Sequence, residues 1–160
     1  MKVRAGLGYD IHRLEEGRKL FLGGVEVDFP KGLLGHSDGD CLIHAVIDAL
    51  LGASGESDIG RLFPDEDPQY KGMRGTEMLR KVMARIREKN MEILNIDSVI
   101  VAEKPKLAAY IPRMKKVLCP ILEVEEDDLG IKAKTNEGLG SVGREEAIAC
   151  WAQALVRKKD

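Results

Sequence analysis

The chain has 160 residues, and its 25 Lys and Arg against 27 Asp and Glu leave a net charge of −2. That balance gives no electrostatic reason to expect nucleic acid or an anionic membrane as a partner, so an anionic substrate must be met by local cations or by metal. An apolar fraction of 44% fits a globular domain, taken as residues 1–160, and no apolar stretch approaches the roughly 20 residues that span a bilayer.

Val3, Ala5, Leu7 and Tyr9 alternate with other residues and predict a strand running into Asp10 and His12. Leu20 to Leu22, Gly23-Gly24 and Val25 to Phe29 predict a hairpin. A glycine-rich turn through Gly35 leads to Ser37 or Asp38 as the expected N-cap of a helix carrying Leu42, Ile43, Val46, Ile47, Leu50 and Leu51. Gly52 and Gly55 are expected to lie beyond its end. The polar stretch from Asp58 to Gly72, with Pro64 and Pro68, is of the length at which loops tend to be functional, and is a candidate lid. A second helix is expected around Leu79, Val82, Met83 and Ile86, a buried strand over Ile96 to Ala102, and a third helix over Ala108 to Leu122. Leu129 to Lys134 predicts a strand. A last helix is expected from Arg144 to Val156, with Ile148, Trp151, Ala152 and Leu155 as its core stripe. The mixture is that of an α/β or α+β domain. Cys41, Cys119 and Cys150 are odd in number and lack CxxC spacing, which suits reduced, mostly buried thiols and a cytoplasmic location.

Residues two apart on a strand point to one side, so Asp10 and His12 can converge on one point. In the segment from Gly35 to His44, His44 lies one helical turn after Asp40 and one turn before Asp48. One Asp and two His make a three-ligand Zn²⁺ site with its fourth position open, and Asp48 is placed to accept the other ring N–H of His44. All the histidines, His12, His36 and His44, fall in these two segments. Each alone is more often a surface residue than a ligand. The run from Lys132 to Gly140 ends a strand in Thr, Asn and Glu before glycines and a helix. It suits phosphate or a second metal, though by itself such a run is more often a plain glycine-rich turn before a helix. It lacks the Gly-Lys-[Ser/Thr] ending of a Walker A motif.

The segments Gly8 to Leu14, Gly35 to Asp40, Asp58 to Asp65, Ala102 to Lys106 and Lys134 to Glu137 together resemble the 2-C-methyl-D-erythritol 2,4-cyclodiphosphate synthases, in order and spacing across essentially the whole chain. The resemblance implies a single domain with a mixed β-sheet and helices packed on one face, assembled as a homotrimer with active sites between neighbouring subunits. It indicates the form without a fused cytidylyltransferase domain. It implies conversion of 4-diphosphocytidyl-2-C-methyl-D-erythritol 2-phosphate to the cyclic diphosphate and CMP, a step of non-mevalonate isoprenoid synthesis. By the same likeness Asp10, His12 and His44 match zinc ligands, and Glu137 the carboxylate that holds Mg²⁺ or Mn²⁺ against the diphosphate. His36 and Thr135 match the pair that stabilises the transition state. Ser37, Asp58, Ile59, Gly60, Phe63, Pro64 and Asp65 match the enclosure of the methylerythritol phosphate. Ala102, Glu103, Lys104, Pro105, Lys106, Leu107 and Ala108, with Ala133 and Lys134, match the wall that receives cytidine.

Two positions depart from the pattern. Lys134 stands where members often have Thr, and Ser141 where they often have an aromatic residue. Ser141 and Arg144, the latter counted among the substrate-binding positions, match the lining of a central trimer cavity that in some members holds an isoprenoid diphosphate. A zinc-dependent phosphohydrolase and a non-catalytic nucleotide-binding protein are the alternatives. Neither HExxH nor HxE with PCxxC occurs in the sequence.

Overall fold

The computed structural model describes residues 2–159. Strand β1 spans Lys2–Glu16, and its alternation sends Leu7, Tyr9 and Ile11 to an exposed face while Leu14 is buried on the other. A short hairpin follows, β2 (Leu20–Leu22) and β3 (Val25–Val27), then β4 (Lys31–Leu33) returns to pair with the end of β1. Helix α1 (Cys41–Ser54) crosses the sheet. After it come α2 (Ile59–Leu62), α3 (Gly75–Glu88), β5 (Met91–Val101), α4 (Ile111–Leu122), β6 (Leu129–Lys134), α5 (Gly140–Gly143) and β7 (Ala147–Lys158).

The main sheet has the order β4-β1-β7-β5-β6, with β5 and β6 parallel and the other neighbours antiparallel. It is a mixed sheet in an α+β fold, with α1 against β1 and β7, α3 against β5, and α4 against β6. Among the described residues no helix is long and apolar enough to cross a membrane.

The expected last helix is instead β7, the strand between β1 and β5. Ile148, Cys150, Ala152, Ala154 and Val156 alternate into the core, whereas Trp151 stands on the opposite, exposed face. Alanines and the outward Trp151 and Leu155 hide the period of two, because only Gln153 and Arg157 mark the outward face as polar. The glycines of the neighbouring β1 have a packing reason. A Cβ placed on Gly6 would lie 2.0 Å from the carbonyl oxygen of Ala49, and one on Gly8 1.9 Å from that of Ala45. Helix α1 therefore rests on β1 main chain to main chain.

Other boundaries differ from expectation for local reasons. Asp40, rather than Ser37 or Asp38, caps α1, accepting from the Ile43 N–H at 3.1 Å. Asp38 is turned instead toward α3, accepting from the Gly75 N–H at 2.9 Å. Helix α1 continues through Gly52 and stops at Gly55, whose φ of 76° is a left-handed cap. Residues 58–72 are less irregular than expected, holding α2 and a 3₁₀ turn at Pro68–Tyr70. Helix α4 begins at Ile111 rather than Ala108, and β5 begins at Met91 rather than Ile96.

Candidate metal centre and active-site cavity

Asp10 and His12 occupy successive helix-facing positions of β1, just past the point where Gly8 touches α1, and His44 stands in the first turn of that helix. Asp10 Oδ2 lies 2.8 Å from His12 Nε2 and 3.1 Å from His44 Nδ1, and the two ring nitrogens are 3.2 Å apart. Zinc–ligand bonds of about 2.0–2.1 Å in a tetrahedron set donors about 3.3–3.4 Å apart, so outward shifts of a few tenths of an ångström admit the ion.

The hydrogen bonds behind the donors agree with that use. His12 Nδ1 donates to the Leu34 carbonyl at 2.6 Å, which leaves Nε2 to present its lone pair. His44 Nε2 lies 3.2 Å from Ser37 Oγ; donating there leaves Nδ1 as the free donor. Burial alone would raise the Asp10 carboxyl, but hydrogen bonds with His12 and His44 and their charge outweigh it and hold the group below the usual carboxylate range. Burial likewise lowers the His12 imidazole, yet Asp10 and the Leu34 carbonyl raise it overall. Three such donors at this spacing repel unless a proton or a metal ion lies between them. Asp10, His12 and His44 thus form a candidate divalent-metal site.

Asp48 does not back His44 as the helical spacing suggested. Its Oδ1 accepts from the Ile59 N–H at 2.8 Å and so fixes the start of α2, and Ser37 takes the expected role. Cys41 is not placed as a ligand. Its Sγ donates to the Asp10 backbone oxygen at 3.1 Å, and burial pushes the thiol well up.

Of the residues named from the sequence, Asp10, His12, His36, Ser37, His44, Ile59, Gly60, Phe63 and Asp65 line one cavity of about 210 Å³. Asp58 and Pro64 shape its rim instead. The Asp58 carboxylate accepts from the Arg61 N–H at 3.0 Å, and the Pro64 carbonyl from the Asp67 N–H at 3.1 Å. His36 reaches within 3.7 Å of Asp65. Gly35, Tyr70, Lys71 and Met78 also line the cavity and were not foreseen. Only the loop length around Tyr70 and Lys71 hinted at them.

The remaining residues gather elsewhere. The Ala102 N–H donates to the Lys134 carbonyl at 2.9 Å, and Glu103 Oε1 accepts from the N–H groups of Asn136 at 2.7 Å and Gly138 at 3.3 Å. Thr135 Oγ1 donates to Glu137 at 3.2 Å. Lys104 pairs with Glu145 at 3.0 Å, and Leu107 is buried in the core. Pro105, Lys106, Ala108 and Ala133 belong to the same pair of neighbouring segments. The register runs from Asp10 to Cys150 to Ile100 to Ala133. Successive strands lie about 4.8 Å apart, which sets the two clusters about 14 Å from each other across the sheet. Within one chain they do not meet. Arg144 is held by Glu146 at 3.0 and 3.1 Å, beside a separate hollow that Ser141, Arg13 and Lys31 also line.

A model of the YgbB family matches residues 3–157. The chain belongs to the YgbB family. It is 54% identical over 153 residues to the 2-C-methyl-D-erythritol 2,4-cyclodiphosphate synthase of Caldicellulosiruptor bescii, covering 96% of this chain and 98% of that one. Its fold matches a 2C-methyl-D-erythritol-2,4-cyclodiphosphate synthase solved in its CDP-bound form, with a TM-score of 0.89, 38% identity, and coverage of 96% and 100%. It also matches the bifunctional IspDF of Campylobacter jejuni with a TM-score of 0.95 and 37% identity, over 99% of this YgbB-family chain but 43% of that longer one.

Proposed function

We propose that this YgbB-family chain converts 4-diphosphocytidyl-2-C-methyl-D-erythritol 2-phosphate to 2-C-methyl-D-erythritol 2,4-cyclodiphosphate and CMP. The observation that carries the reading is the convergence of Asp10, His12 and His44 at one end of a cavity walled by Ile59, Gly60, Phe63 and Asp65. An oxygen of the 2-phosphate attacks the β-phosphorus and CMP leaves, so the chain must bring two anionic ends of one molecule together. When bound, Zn²⁺ at Asp10, His12 and His44 and Mg²⁺ or Mn²⁺ at Glu137 supply Lewis-acid neutralisation of the diphosphate.

The other residues bind, orient and exclude water. Ser37 and the Leu34 carbonyl fix the imidazole tautomers. Ser37, Asp58, Ile59, Gly60, Phe63, Pro64 and Asp65 enclose the methylerythritol phosphate, with the buried Phe63 keeping water from the β-phosphorus. Ala102 to Ala108 with Ala133 and Lys134 receive the cytidine, and His36 and Thr135 support the transition state. No side-chain nucleophile is needed. Holding the reacting ends together can itself be worth up to about 7–11 kcal/mol of barrier.

The reading includes a homotrimer whose active sites lie between neighbours. Two observations support it. The cavity and the Glu137 cluster stand three strands apart in one chain. The sheet face opposite the helices also leaves Leu7 72% exposed, beside a Tyr9–Trp151 ring pair 4.7 Å apart, an apolar surface that a further copy of the chain would cover. A cytoplasmic location goes with the free thiols Cys41, Cys119 and Cys150. Incubation with the cytidine-diphosphate substrate and Mg²⁺ tests the function. CMP with the cyclic product supports it. CMP with an open-chain phosphate indicates a hydrolase, and neither product indicates a binding protein.

A further inference from the structure

We infer that Lys71 binds the 2-phosphate of the substrate, an inference that rests on the reaction proposed above. Lys71 is the one Lys or Arg among the residues lining the cavity, and Asp10 and Asp65 in the same lining would repel an incoming phosphate. Its neighbours in sequence are fastened on both sides. Tyr70 packs edge-on against Phe63, with ring centroids 5.2 Å apart. The Gly72 N–H donates to the His36 carbonyl at 2.8 Å, and Gly72 has a φ of 72°, which lets the chain turn immediately after the lysine. Lys71 is thus held in the cavity lining that His36 and Ser37 share. Lys19, Lys89 and Lys104 each lie 3.0 Å from a carboxylate, whereas Lys71 makes no ion pair among the described residues. Its charge remains available to a ligand.

The charges of the substrate select the group it meets. The diphosphate already has the donors of the metal centre and Glu137 assigned to it. The 2-phosphate, which carries about −1.5 to −2 charge near neutral pH, has no cation among the residues so far given a role. An ammonium suits it as a mobile point charge that follows the phosphate during attack.

The test compares two ligands on the zinc-loaded enzyme, the 2-phosphorylated substrate and 4-diphosphocytidyl-2-C-methyl-D-erythritol, which lacks that phosphate. Lys71→Met is expected to raise KM and the calorimetric Kd of the first about 10- to 100-fold, as for a lost charge-assisted hydrogen bond. Affinity for the second, and zinc per chain, should be unchanged. Lys71→Arg should recover most of the loss. Equal weakening of both ligands, or none of the phosphorylated one, overturns the assignment. Product analysis on the unsubstituted enzyme judges the reaction separately. Failure to form the cyclic product defeats that reading, while the ligand comparison still decides the role of Lys71.

Discussion

The two halves of the candidate active site are built differently. The cavity half takes its donors from a strand and a helix in main-chain contact, and Asp10 and His44 are backed by further hydrogen bonds. The Glu137 half is a pair of exposed loops at the ends of β5 and β6, held to each other by Glu103. A metal centre that must match an ion to a few tenths of an ångström is mounted on rigid elements. The wall assigned to cytidine in the proposed function is left on loops, where the proposed neighbouring subunit would complete it.

Substitutions should separate the halves. His44→Ala is expected to remove zinc and lower turnover by about 10³-fold or more, since a Lewis acid contributes several kcal/mol. Metal analysis alongside CMP release checks this, and retained zinc with full turnover would dismantle the metal assignment. Asp40→Ala attacks the mounting rather than the donors. It strips acceptors from the N–H groups of Gly23, Gly24 and Ile43, at a cost of about 3 kcal/mol or more in denaturant unfolding. Glu137→Gln should spare zinc and raise the Mg²⁺ needed for half-maximal rate on the order of tenfold. Finally, at limiting Mg²⁺, where Glu137→Gln alone is slow, His44→Ala and Glu137→Gln chains, unfolded and reassembled together in equal amounts, should reach about a quarter of the wild-type rate if each site draws one half from each of two subunits. A mixture no faster than its Glu137→Gln chains alone would mean that both halves act within one chain.

Much of the cavity half was legible in the residues themselves. Alternation along β1 aligned Asp10 with His12, and helical spacing put His44 near the start of α1. What the residues could not convey was direction. Asp48 is at the right spacing from His44 but turns to an unpaired N–H of α2, an attraction that appears only once the loop has folded back. The same fold-back, tied by Gly72 to His36, brings Tyr70 and Lys71 to the cavity. β7 misled for another reason. Most of its outward side chains, Ala147, Ala149, Trp151 and Leu155, are apolar like its inward ones, and Gln153 and Arg157 alone leave too weak an alternation to read in the sequence. The Glu137 half read first as a glycine-rich turn and only second as a phosphate or metal site, and its proposed role comes from family likeness rather than from local chemistry.

Where Gly8 meets Ala45, backbone bears on backbone with no rotatable group between them to act as a spring. The backbone spacing beneath Asp10 and His44, just beyond that contact, is therefore set by bond lengths and helix pitch, leaving only the two side chains to adjust. A cation bound there would be accommodated by small side-chain shifts of the donors rather than by movement of strand against helix. Discrimination among cations bound there would begin at two glycines standing behind the donors.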